Sequence, residues 1–200
     1  MDPIATISTV GAVVGTLKSL TETTQTGLEV ITQAKAALDE GDVTTGLLRL
    51  ALLEVDHNLA LIDALQLDAS GDEARAGFLK AAAHLKYDAL SALLVQWPEV
   101  EEPAIPTDYE DEEAMRAWER TLGDVEAGPQ ILANARFVVS RASVLASLAK
   151  VPPPAIKRLR LNIRYRNLQA AHLELLRLLS QKEALTDWLH RRASGAEPHG

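Results

Sequence analysis

The sequence predicts an all-α protein, a bundle of about six helices around a buried central one. Three observations carry that prediction. Residues 44–67 place Leu47, Leu50, Leu53, Val55, Leu59, Ile62 and Leu65 together with Leu48, Leu52 and Leu61 on nearly every side of a helix, and a helix that is apolar all round is a buried one. Hydrophobic residues make up 47% of the chain but aromatics only 4%, so the core must come from Leu, Ala, Val and Ile, as in packed helices rather than a sheet sandwich. Elsewhere apolar residues recur at helical spacing, and the one run that alternates like a strand has no second strand to pair with.

The 200 residues suffice for one good core, and a single domain over residues 1–192 is expected, followed by a disordered tail at 193–200. There is no cysteine, which excludes a disulfide framework, thiolate zinc sites and a cysteine nucleophile and fits a reducing, cytoplasmic setting. The start lacks the basic residues of a signal peptide, and its apolar run reaches Lys18 before the length of a membrane span, so neither export nor a conventional span is expected. The protein is acidic, net −8, and lopsided: residues 1–133 carry a net −16 and residues 134–200 a net +8. Oppositely charged faces meeting inside one bundle account for this most simply, with nucleic acid or acidic lipid as the other partners for the basic half.

In chain order, Asp2 and Pro3 suit a helix start, and Ile4, Ile7, Val10, Val14 and Leu17 follow on one face. The polar face of this segment is Thr and Ser with almost no charge, and Gly11-x-x-x-Gly15 lets another helix approach closely. The segment either packs into the bundle with its glycines against a neighbour or is released to a partner or a membrane. The period resumes at Leu28, Ile31 and Leu38, and Gly41 ends the element. The central helix at 44–67 comes next, roughly 36 Å long at 1.5 Å per residue. Ser70-x-x-Glu73 reads as a capping box opening one further helix to Trp97, whose stripe is Phe78, Ala82, Leu85, Ala89 and Leu93. Trp97-Pro98 closes it, and residues 98–107 form an acidic, proline-rich connector.

Thr107-x-x-Glu110 reads as a second capping box, before a short helix with the stripe Met115, Trp118, Leu122 and Val125. Gly128-Pro129 restarts the chain. Ile131, Ala135, Val138, Ala142, Leu145 and Ala149 then give the cleanest apolar repeat. The proline run at 151–154 is a stiff break. Leu159, Leu161, Ile163 and Tyr165 alternate with charge, but Ile156, Leu159 and Ile163 also fit a helix. The helical reading continues through Leu168, Leu175 and Leu179 to about Arg191.

Among candidate chemistries, Glu54-x-x-His57 places a carboxylate and an imidazole on one helix face, the spacing used by di-iron and di-manganese bundles. A second such pair is absent. His84 and His172 on other helices would be further ligands of a mononuclear site. Asp56, Asp63 and Asp88 interrupt apolar helices and read as exposed faces or ion-pair partners. Phosphate-loop, nucleophile-elbow, zinc-protease and dinucleotide motifs are all missing. Lys157, Arg158, Arg160, Arg164 and Arg166, with Tyr165 between them, form a basic cluster that could contact phosphates. Pairing with the acidic region at 99–113 is the cheaper use of those charges.

The opening Met1-Asp2-Pro3-Ile4 and the Ser-, Val-, Gly- and Ala-rich run behind it, residues 1–20, resemble the start of the HeLo-like helical domains at the N-termini of fungal STAND-type immune receptors. The resemblance implies a helical bundle whose first helix acts in membrane-linked defence or cell-death signalling. Ile4, Ile7, Gly11, Val14, Gly15 and Leu17 would then meet the partner or the membrane.

The leading expectation is a non-enzymatic helical interaction or signalling module without a cofactor, which binds a protein partner or a second copy of itself. The alternatives are a metal-dependent bundle enzyme using Glu54 and His57, and nucleic-acid binding through the cluster at 157–166.

Overall fold

The computed structural model describes residues 43–96, 105–106, 110–151 and 159–181. The segments expected at 1–42, 98–104 and 152–158 and the tail at 193–200 lie outside the described residues, as do Ile4, Ile7, Gly11, Val14, Gly15 and Leu17. Six α-helices are described: α1 (Val43–Asp63), α2 (Asp72–Ala82), α3 (Asp88–Gln96), α4 (Glu112–Gly123), α5 (Ala127–Leu148) and α6 (Leu161–Ser180). The described residues contain no strand. The alternating run around Leu161, Ile163 and Tyr165 opens α6.

The fold is an all-helical bundle. Helix α1 packs on α3 and α6, while α5 packs on α2, α3, α4 and α6. On α1, Leu47, Leu50, Val55 and Ile62 are fully buried, and only a strip through Asp56, Ala60 and Asp63 is exposed. Helix α5 meets four neighbours because its buried surface runs round it, from Ile131 and Leu132 to Phe137, Val138 and Leu145, with Ala133, Ala135 and Ala142 keeping the backbones close. By length and composition α5 is the one described helix able to cross a membrane, and it serves here as a core helix. Trp118 of α4 stacks on Phe137 at 5.3 Å, and the Arg141 guanidinium lies over the Phe137 ring, 5.4 Å from its centroid, with Nη2 donating to the Pro106 carbonyl.

Five expectations are corrected. The helix expected at 44–67 ends at Asp63, where the chain turns through residues 64–71 to Gly71, whose φ of 101° favours glycine. Gly71, rather than Ser70, precedes α2, and no side chain caps it. The N-cap of α4 is Asp111, its Oδ1 accepting from the N–H groups of Glu113 and Ala114, and Glu110 lies before the helix; Thr107 lies outside the described residues. Helix α6 closes at Ser180, short of Arg191.

The fifth correction is the most informative. The single helix expected from Glu73 to Trp97 is two helices, α2 and α3, separated by residues 83–87. No glycine or proline lies in that break. Its cause is tertiary and lies on α1.

Candidate functional site

Three polar residues within about one turn of α1 grip the α2–α3 break. The first N–H groups of α3 have no partner within the helix, and no local side chain takes them. Glu54, fully buried, receives them from a different helix: Oε2 accepts from Ala89 at 2.9 Å and Oε1 from Leu90 at 3.1 Å. One turn later Asn58 imitates a paired strand. Its Oδ1 accepts the Lys86 N–H at 2.8 Å and its Nδ2 donates to the Lys86 carbonyl at 2.6 Å. Between them, His57 Nε2 donates to the carbonyl of His84 at 3.3 Å. Five backbone groups freed by the break are therefore satisfied by α1, as buried backbone polar groups require.

Helix α6 completes the cluster. Its His172, fully buried, lies with Nε2 3.0 Å from Asn58 Nδ2 and donates Nδ1–H to the Leu168 carbonyl at 2.7 Å. The Nδ1 bond sets the tautomer, so Nε2 is the acceptor for Asn58. Burial lowers the His172 pKa to about 4, so the ring is neutral near pH 7. Glu54 moves the other way. Burial pushes its pKa up to about 7 against the N–H groups of Ala89 and Leu90, which favour the carboxylate, and the nearby charge of Asp88 adds to the rise.

This arrangement bears on the sequence candidates one by one. Glu54 and His57 share α1, but both oxygens of Glu54 and Nε2 of His57 are committed to backbone groups. Among the described residues no three His, Asp or Glu side chains gather in a way that could hold a metal ion. His84 is exposed and contributes only its carbonyl, while His172 is occupied by Asn58 and Leu168. Asp56, Asp63 and Asp88 are exposed, and Asp63 accepts from Gln169 at 2.7 Å.

The basic cluster divides. Lys157 and Arg158 lie outside the described residues, and Arg160 is exposed at the start of α6. Arg164 is largely buried and grips Glu110 with two nitrogens, Nε at 2.7 Å and Nη2 at 2.6 Å. Arg166 pairs with Asp68 at the surface. Tyr165 faces the core: it is fully buried, stacks on Phe78 at 5.4 Å and donates its hydroxyl to the Phe78 carbonyl at 2.6 Å. Burial raises its pKa. It therefore offers no stacking platform to a base.

Asn58 is the residue the sequence reasoning missed. The signal was present: an amide four residues after a glutamate, inside a helix otherwise lined with leucine, is a polar group that burial would force to find partners. Comparison of the chain with protein-family profiles, curated proteins and solved structures gives no match.

Proposed function

We propose that this chain is a non-enzymatic helical module that acts by association. In this reading the bundle is a rigid body and the segment through Ile4, Ile7, Gly11, Val14, Gly15 and Leu17 is the contact element toward a protein partner or a second copy. The resemblance of residues 1–20 to HeLo-like domains suggests cytoplasmic, membrane-linked defence or cell-death signalling as the setting. The observation that carries the reading is the commitment of Glu54 and Asn58: the groups best suited to chemistry in the core spend their hydrogen bonds on the backbone of residues 86–90. A catalytic or metal-binding carboxylate needs a free oxygen toward its substrate or ion.

The test compares the full chain with a deletion of residues 2–20. Circular dichroism reports folding, sedimentation reports self-association, and dye release from phosphatidylcholine–phosphatidylserine vesicles reports membrane action. The expected result is a folded deletion that has lost association or release. A full chain that stays monomeric and leaves vesicles intact would overturn the reading. So would stoichiometric iron, manganese or zinc that disappears on Glu54→Ala and His57→Ala, which would favour the enzyme.

A further inference from the structure

We propose that the cleft between α4, α5 and α6 binds an organic cation, an alkyl- or arylammonium. The cleft has a volume of about 370 Å³, within the range of small-molecule sites. Its apolar floor is formed by Met115, Trp118 and Leu122 of α4, each at most 6% exposed, with Ala171 of α6 beside them. Such a floor takes an apolar body, and the indole adds attraction for a positive charge.

The polar wall carries the assignment to a cation. Two amides on α5 line it, and both turn their nitrogens to backbone carbonyls: Gln130 Nε2 donates to Val125 at 2.6 Å and Asn134 Nδ2 donates to Gln130 at 2.9 Å. The amide oxygens are thus the ends left without a partner among the described residues. Asn134 is 3% exposed and lines the cleft. Two carboxylates, Glu119 and Glu174, and a third amide, Asn167 of α6, complete the wall. Glu174 already holds Arg177, whereas Glu119 makes no hydrogen bond or ion pair among the described residues. No Lys, Arg or His lines the cleft among those residues. A wall rich in acceptors and of net negative charge over an apolar floor complements a donor-rich cation with a hydrocarbon tail and repels an anion. The inference stands apart from the association reading, which does not use this cleft.

The full chain is titrated with n-hexylammonium, n-hexanol and n-hexanoate and followed by NMR of the Trp118 indole N–H and the Asn134 side-chain amide. Hexylammonium is expected to shift both resonances saturably, hexanol to bind roughly fivefold or more weakly, and hexanoate to leave them in place. Glu119→Gln, an exposed substitution that does not threaten folding, is expected to weaken hexylammonium by about fivefold and leave hexanol unchanged. Hexanol binding as tightly as hexylammonium, shifts confined to other residues, no binding of any of the three, or indifference to Glu119→Gln would each overturn the proposal.

Discussion

Asn58 and His172, both fully buried and 114 residues apart, hold each other's orientation across the α1–α6 interface through Nδ2 and Nε2 at 3.0 Å. The contact matters beyond its own energy. Asn58 uses its remaining groups to hold the backbone of Lys86, so His172 on α6 indirectly supports the break between α2 and α3. One amide joins three parts of the chain that have no sequence proximity.

Removing that amide leaves the part-buried N–H and carbonyl of Lys86 and the buried His172 Nε2 without their partner. At about 1–3 kcal/mol for each unmet group, Asn58→Ala is expected to cost roughly 3 kcal/mol or more, read as a lower urea midpoint at nearly constant slope. A double-mutant cycle with His172→Leu is expected to return a coupling of about 1 kcal/mol. A loss below about 0.5 kcal/mol for Asn58→Ala would mean that water replaces the network at little cost.

Glu54 and His172 give the protein two opposed pH dependences. The Glu54 pKa rises from 4.5 to about 7 on folding, so the folded state holds the proton more tightly and the associated stability, complete below pH 4.5, is lost as pH rises through 7. The His172 pKa falls from 6.5 to about 4, so its stability is complete above pH 6.5 and is lost as pH falls through 4. Each contribution is on the order of 3 kcal/mol at 1.36 kcal/mol per pKa unit. Between pH 4.5 and 6.5 the two slopes cancel, and unfolding of the native chain is expected to be nearly insensitive to pH through these groups. Glu54→Gln unmasks the histidine, so stability should climb with pH across that window. His172→Gln unmasks the carboxyl, so stability should fall from pH 4.5 to 7. Denaturant midpoints at several pH values check both, and parallel slopes in the two variants would refute the assignment.

The residues that made the fold legible were those with only one reasonable environment. Leu47, Leu50, Val55 and Ile62 had to be buried, and Ile131, Val138 and Leu145 repeated at helical spacing, so the helical class, the central run and α5 followed from period and composition. The break at 83–87 was not legible, because the stripe from Phe78 through Leu85 to Leu93 keeps helical period across it and no glycine or proline marks it. What decides the break is a set of hydrogen bonds from Glu54 and Asn58, some thirty residues away, and tertiary bonds of that kind leave no local signature. Glu54 was visible as an oddity in an apolar helix, but the same oddity fits a metal ligand and a helix cap. Only the position of the α3 N-terminus separates the two. Tyr165 illustrates the converse: arginines at 164 and 166 suggested a surface, yet on a helix the residue between them points elsewhere.

Tyr165 tests the packing between α2 and α6. Tyr165→Phe keeps the ring stacked on Phe78 and removes one buried hydroxyl, while the Phe78 carbonyl retains its helical environment. A loss of about 1 kcal/mol is expected. Tyr165→Ala removes the ring as well and is expected to cost roughly 3–5 kcal/mol, as other buried aromatic truncations do. Thermal unfolding of the two variants separates the hydroxyl from the ring, and equal losses would place the whole effect in the hydrogen bond.

The ion pairs of α6 decide what its basic cluster is for. Arg164 and Glu110 are 13% and 20% exposed in their side chains and meet through two nitrogens, whereas Arg166 and Asp68 are 51% and 94% exposed. A forked, largely buried pair loses little to screening, and cutting it strands a charge. An exposed pair contributes about 0–1 kcal/mol and fades with salt. Arg164→Gln is therefore expected to destabilise the protein by roughly 2 kcal/mol or more, with little dependence on salt from 0.05 to 0.5 M. Arg166→Gln should cost less than about 1 kcal/mol, and that only at low salt. Lysine at 164 should recover part of the loss but not all, because an ammonium cannot reproduce the two-nitrogen grip. The same variants are assayed for binding to a mixed-sequence RNA and DNA oligonucleotide. An Arg164→Gln chain that keeps its melting temperature but loses nucleic-acid affinity, with a reduced dependence of binding on salt, would make the cluster a phosphate-binding surface. Loss of stability with no nucleic-acid binding in any variant would assign Arg164 to holding Glu110, and with it the segment before α4, against α6.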